Sequence, residues 1–261
     1  MKLPIFQIDA FTDRLFGGNP AAVVLLESWL PDEVLAAIAA ENNLAETAFV
    51  IPGSEEIPLR WFTPTLEMDL CGHATLAAAH VLFRHFRHSV DRLTFATRSG
   101  SLVVTTDGDR LTLDFPARPG VAIEASEELV SALGTRPGEV FLARDLLAIL
   151  DRESDVKNLR PDFDRIAALD ALGVIVSAPG ETVDFVSRFF APGAGVPEDP
   201  VTGSAHCTLV PYWAARLGRS SLTAKQLSAR GGDLSCSLVG DRVLMSGGAV
   251  EYLRGEIDVV V

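Results

Sequence analysis

Arg60-Trp61-Phe62-Thr63-Pro64 leads into Leu70-Cys71-Gly72-His73-Ala74-Thr75, and the plan returns as Arg188-Phe189-Phe190-Ala191-Pro192 leading into Pro200-Val201-Thr202-Gly203-Ser204-Ala205-His206. Each copy reads as an aromatic strand, a proline-marked turn and a glycine at the start of an apolar helix. The two glycines stand half a chain length apart. A second echo has almost the same offset: Gly100-Ser101-Leu102 with Gly108-Asp109-Arg110-Leu111 is matched by Gly232-Asp233-Leu234 with Gly240-Asp241-Arg242-Val243. Short periods would indicate a solenoid or propeller. One duplication at half length instead predicts two similar lobes, with a ligand expected in the cleft between them.

Working outward, the length of 261 residues suits two lobes of ordinary domain size. We expect an N-terminal lobe over residues 1–118, onto which the C-terminal strand can pack, and a C-terminal lobe over 119–261. A composition of 48% hydrophobic and 22% charged residues is that of a globular protein. The net charge of -13 argues against nucleic acid as a partner, since phosphate recognition needs clustered Lys and Arg. No run of roughly 18 apolar residues suggests a membrane span, and Asp9 and Asp13 interrupt any signal-peptide pattern. Three cysteines, Cys71, Cys207 and Cys236, fit a reducing compartment. The expectation is a cytoplasmic protein without a membrane partner.

Along the chain, residues 3–11 and 21–26 read as strands joined through Gly17-Gly18-Asn19-Pro20. Pro31 is expected to open a helix, with Asp32 and Glu33 in its first turn and Val34, Leu35, Ile38 and Ala39 as its buried stripe. Asn42-Asn43 ends it, and Glu46 stands at the entrance of a strand over 47–51. Residues 74–83 are apolar all round, which predicts a helix enclosed by protein. Strands follow near 92–96, 101–106 and 110–115, with Asp107-Gly108 as a hairpin turn. In the second half, strands are expected at 139–143, 146–150, 173–177 and 183–190, and a short helix near Asp162. A second enclosed helix is expected over 204–217, interrupted by Pro211 and stopped by Gly218. Strands near 234–238, 242–246 and 249–259 complete the pattern.

Helix starts present unpaired N–H groups and partial positive charge, so Gly72 and Gly203 mark two candidate anion sites. Glu46, in Asn43-Leu44-Ala45-Glu46-Thr47-Ala48-Phe49, sits among apolar residues, where desolvation would favour proton transfer near neutral pH. No carboxylate answers it in the second half, which predicts a one-base site. His73 can carry a proton. Asp199 and Ser204 can orient a ligand, or respectively shape the turn and cap the helix.

Zinc on Cys71, His73, His206 and Cys207 is not expected, because the ligand spacing is wrong and neighbours on a helix diverge by about 100°. A Ser204-His206-Asp199 hydrolase fails because residues two apart on a helix do not face each other. Phosphate-loop and dinucleotide fingerprints are absent from the sequence.

Gln7-Ile8-Asp9-Ala10-Phe11-Thr12, Gly18-Asn19-Pro20-Ala21-Ala22-Val23, the Glu46 and Cys71-Gly72-His73 segments, Glu198-Asp199-Pro200-Val201-Thr202-Gly203-Ser204-Ala205-His206 and Arg230-Gly231-Gly232 together resemble the phenazine-biosynthesis PhzF-like family. The resemblance implies the α+β, diaminopimelate-epimerase-like fold: two pseudo-symmetric lobes, each a curved, barrel-like mixed sheet wrapped around a central helix. It implies that Glu46, His73 and Asp199 are catalytic, with Gly72, Ala74, Gly203 and Ser204 binding substrate. By family analogy the protein is a homodimeric, cofactor-independent isomerase of a small carboxylate-bearing molecule. In the phenazine enzyme such a glutamate moves a proton between carbons of a cyclic dihydro-hydroxyanthranilate. Related epimerases use one thiol from each lobe; here Cys71 fills the first position and Pro200 or Thr202 the second. An epimerase using Cys71 with another base, and a non-catalytic binding protein, are the competing readings.

Overall fold

The computed structural model describes residues 1–87 and 89–260. The first half runs β1 (Lys2–Ala10), β2 (Asn19–Leu25), α1 (Asp32–Asn42), β3 (Glu46–Val50), β4 (Glu56–Phe62), β5 (Glu67–Met68), α2 (Gly72–His85), β6 (Arg92–Thr97), β7 (Gly100–Asp107) and β8 (Arg110–Pro116). The second half runs β9 (Val121–Ile123), α3 (Glu127–Leu133), β10 (Glu139–Leu142), β11 (Leu146–Ile149), α4 (Glu153–Asn158), α5 (Phe163–Ala167), β12 (Val174–Pro179) and β13 (Phe185–Ala191). It continues through β14 (Val196–Asp199), α6 (Gly203–Leu217), β15 (Ser221–Gln226), β16 (Gly232–Val239), β17 (Arg242–Gly247) and β18 (Ala249–Asp258). Two compact units result: Met1–Phe115 with Ser246–Val261, and Pro116–Met245.

The same pairing sequence builds each unit. In the first, β18, β1 and β2 are successively antiparallel, β2 runs parallel to β3, β3 is antiparallel to β4, β4 parallel to β6, and β6 antiparallel to β7. In the second, β9, β10 and β11 are antiparallel, β11 is parallel to β12, β12 antiparallel to β13, β13 parallel to β15, and β15 antiparallel to β16. Duplication therefore extends from motifs to strand order.

Each unit has one enclosed helix. Every residue of α2 from Gly72 to Phe83 is buried, and the helix packs on β1, β2, β3 and β18. Its Ala77-Ala78-Ala79 stretch lets strands approach the helix backbone closely. In the second unit α6 packs on β15 and β16, with Trp213 stacked on Phe185 and donating its Nε1–H to Ser177 Oγ at 3.0 Å. A separate cluster around Leu129, Val156, Val176 and Phe190 fills the other side of that sheet. Among the described residues no helix is long and apolar enough to cross a membrane.

Several local expectations are corrected. Pro31 is the N-cap of α1 and Asp32 its first residue. The β7–β8 turn is Gly108-Asp109, because Asp107 pairs with Arg110 and Gly108 takes the positive φ of 60°. Ser204 does not cap α6: Thr202 occupies that position, and Ser204 lies inside the first turn. The short elements β9, α3, α4 and β15 were not expected; at six or seven residues, α3 and α4 carry too little periodicity to register.

Candidate active site

Glu46 opens β3, beside Ala21 of the parallel strand β2. Register puts both side chains on one sheet face, and Asn19, two residues before Ala21, shares it. That face packs against α2, whose N-cap Cys71 is extended and makes no side-chain cap. His73, in the helix's first turn, is thereby brought to Glu46: Nε2 lies 3.1 Å from Oε2. The pair is close enough for an ion pair, yet each of these two buried atoms lacks an aligned hydrogen-bond partner.

On the ring's other side, Nδ1 lies 3.0 Å from Asn19 Nδ2 and 3.6 Å from Cys71 Sγ. Burial, with the Glu46 charge adding to it, pushes the Cys71 thiol up to about 11, so it is protonated at neutral pH. Burial opposes charge on His73, but the Glu46 carboxylate 3.1 Å away outweighs it and holds His73 well above the ordinary histidine range.

Donor atoms of Glu46, Cys71 and His73 fall within 4.8 Å of one another, a set that differs from the Cys71, His73, His206 and Cys207 spacing in the sequence. The two ring nitrogens, however, face opposite ways, Nε2 to the carboxylate and Nδ1 to the sulfur, so one ion cannot use all three donors well.

The remaining expected residues gather at the start of α6. Asp199 ends β14, is buried, and accepts the Thr202 hydroxyl at 2.5 Å. Gln226 locks this turn: its Oε1 accepts the Thr202 N–H at 2.9 Å, and its Nε2 donates to Asp199 O at 2.8 Å and Thr202 Oγ1 at 3.0 Å. Gln226 is fully buried and had no signal in the sequence, since its strand was itself unpredicted. His206 Nδ1 donates to Thr202 O at 2.8 Å, away from any triad with Ser204. Cys207 turns to Gly203 O at 3.9 Å.

Helices α2 and α6 have neither a side-chain cap nor an acidic residue in the first turn. By contrast, α3 and α5 are capped by Ser126 and Asp162. Gly72 and Ala74 in one helix, and Gly203 and Ser204 in the other, therefore sit on first turns that carry neither a side-chain cap nor an acidic residue of their own.

An arginine fork precedes both helices. Arg60 donates Nε and NH2 to Glu67 at 2.7 and 2.8 Å, and Arg188 donates the same pair to Glu198 at 2.7 and 2.9 Å. Each guanidinium also lies over the phenylalanine two residues on, Phe62 or Phe190, at 5.1 and 4.8 Å. The repeated Arg-x-aromatic was visible in the sequence; its glutamate partners were missed because the intervening loops differ in length.

Comparison with known proteins agrees with this architecture. Residues 8–255 match the PhzC-PhzF family, described as phenazine biosynthesis-like protein. An uncharacterized isomerase of Pseudomonas aeruginosa is 54% identical, with 98% of this chain and 99% of the relative aligned. The human phenazine biosynthesis-like domain-containing protein is 42% identical over 98% of this chain and 99% of its own. A crystal structure of a PhzF-family phenazine biosynthesis protein from Enterococcus faecalis superposes with a TM-score of 0.96 at 47% identity, covering 99% of this chain and 100% of that one.

Proposed function

The chain belongs to the PhzC-PhzF family of phenazine biosynthesis-like proteins and is an isomerase, and from that premise we propose that it moves a proton between carbons of a small carboxylate-bearing substrate. Glu46 removes the carbon-bound proton and returns it elsewhere, and His73 exchanges charge with it. The carrying observation is the 3.1 Å approach of His73 Nε2 to Glu46 Oε2 with both atoms buried. The uncapped first turn of α2 offers N–H groups to the substrate's negative charge, which grows as the proton leaves. Asp199, held by Thr202, and Ser204 are proposed to contact the substrate's polar groups. The reading needs no cofactor.

Two observations favour this over the two-thiol epimerase reading. Cys71 is protonated, with its pKa near 11, and the matching N-cap of α6 is Thr202. Register also supports a single base. Phe49 lies opposite Arg60 and Val176 opposite Arg188, so stepping back three residues aligns Glu46 with Gly173.

The test is incubation in D2O with small cyclic and amino carboxylates, including a dihydro-3-hydroxyanthranilate, followed by mass spectrometry. Deuterium incorporated at a new carbon supports proton migration. Inversion at one carbon without migration would replace it with epimerisation. By the same family membership we propose a homodimer, to be read by light scattering at dilute concentration.

A further inference from the structure

Asn19 has no part in the chemistry described so far, yet it is completely buried and its side chain meets the His73 ring. Its position is tightly built. Gly18 turns the chain at φ 59°, and a Cβ there would stand 2.1 Å from Ala10 O, so the turn accepts only glycine. Asn19 then pairs with Ala10 at the start of β2, on the sheet face shared with Glu46.

The ring has two faces to its chemistry. Nε2 meets Glu46, and Nδ1 meets Asn19 at 3.0 Å, with the Cys71 sulfur at 3.6 Å as a weaker neighbour. Glu46 from β3 and Cys71 from the α2 N-cap are the titratable groups acting on this ring. A histidine that changes charge needs different things at Nδ1: a donor when the ring is neutral with its proton on Nε2, and an acceptor when it is an imidazolium. A carboxamide supplies both, nitrogen in one orientation and oxygen in the other; an aspartate only accepts and a leucine does neither.

We propose that Asn19 is the positioning residue of His73, its amide serving Nδ1 in both protonation states so that Nε2 stays turned to Glu46. The inference rests on reading Glu46 and His73 as the proton-transfer pair. It matters for catalysis because a ring free to rotate, or to take the other tautomer, would present a bare nitrogen to the carboxylate.

The experiment follows the ring nitrogens by NMR in full-length protein labelled with 15N-histidine. The chain has five histidines, and the signal lost in His73→Gln identifies the right one. In the wild type the neutral ring should hold its proton on Nε2. In Asn19→Asp the ring should remain imidazolium to higher pH, its midpoint raised by about one unit or more, because a carboxylate replaces a dipole at Nδ1. In Asn19→Leu the midpoint should fall below wild type and the Nε2–H preference should be lost. An unchanged midpoint and tautomer in folded Asn19→Asp overturns the proposal even if the leucine variant fails to fold. This readout needs no substrate, so it stands or falls separately from deuterium exchange, which tests the role of Glu46.

Discussion

Cys71 and His73 are neighbours in a buried site, and their protonation decides which chemistry the site can support. The thiol is held protonated by burial and by the adjacent carboxylate, while the imidazole is held toward its cation. Cys71→Ser should therefore keep the deuterium-exchange rate within a small factor of wild type, whereas an epimerase using this sulfur would lose it. Glu46 was recognisable in the sequence from its apolar setting and strand entrance, and His73 from its glycine. Asn19 was legible only as part of a turn motif, because its role depends on which face of β2 it occupies, and strand register across two segments sets that. Gln226 was hidden because its strand, β15, left no pattern of its own in the sequence.

At the level of elements, the arginine forks hold the turns that deliver α2 and α6. Arg188 is 8% exposed, so removing only its partner leaves a buried, uncompensated charge. Glu198→Gln should cost about 3 kcal/mol in urea unfolding, and the Arg188→Met, Glu198→Leu double variant should cost less than that single change. Equal or greater loss in the double variant would mean that the fork contributes through its own attraction.

Helix α6 also carries a pH signature. Burial holds His206 down to about 4 from an ordinary 6.5, and His80 in α2 is likewise held down to about 4, by burial and then Arg84. As pH falls below 6.5 the unfolded chain takes up protons that the folded chain refuses, so stability drops until about pH 4, where the folded form also titrates. Asp145 acts in the opposite sense, raised by burial to about 6: its contribution is present below 3.8 and is lost as pH rises through about 6. His206→Gln should flatten part of the acid decline in thermal midpoint; an unchanged curve would contradict the buried neutral ring.

For the whole molecule, duplication was legible because paired glycines and hairpin turns survive as local signals. The parallel pairings β4–β6 and β13–β15 were not legible, since they join strands separated by an enclosed helix and leave no short-range pattern. The C-terminal strand belongs with the N-terminal unit, and there the Met1 amino group donates to Val259 O at 2.5 Å. Joining the termini with a short glycine linker and reopening the chain between Arg118 and Pro119 would make the β18–β1 pairing continuous in sequence. Such a permutant should fold with a cooperative thermal transition close to wild type. Failure to fold would mean that the segment around residue 118 does more than connect.

Isomerisation by a single carboxylate is the central claim, and Glu46→Gln tests it most directly. The substitution keeps shape and hydrogen-bonding capacity while removing the base. Wild type and variant should bind a carboxylate substrate found by the exchange screen with similar affinity, while the variant's rate of deuterium incorporation in D2O falls roughly 100-fold or more. Exchange at an undiminished rate in Glu46→Gln would contradict the account and require another base.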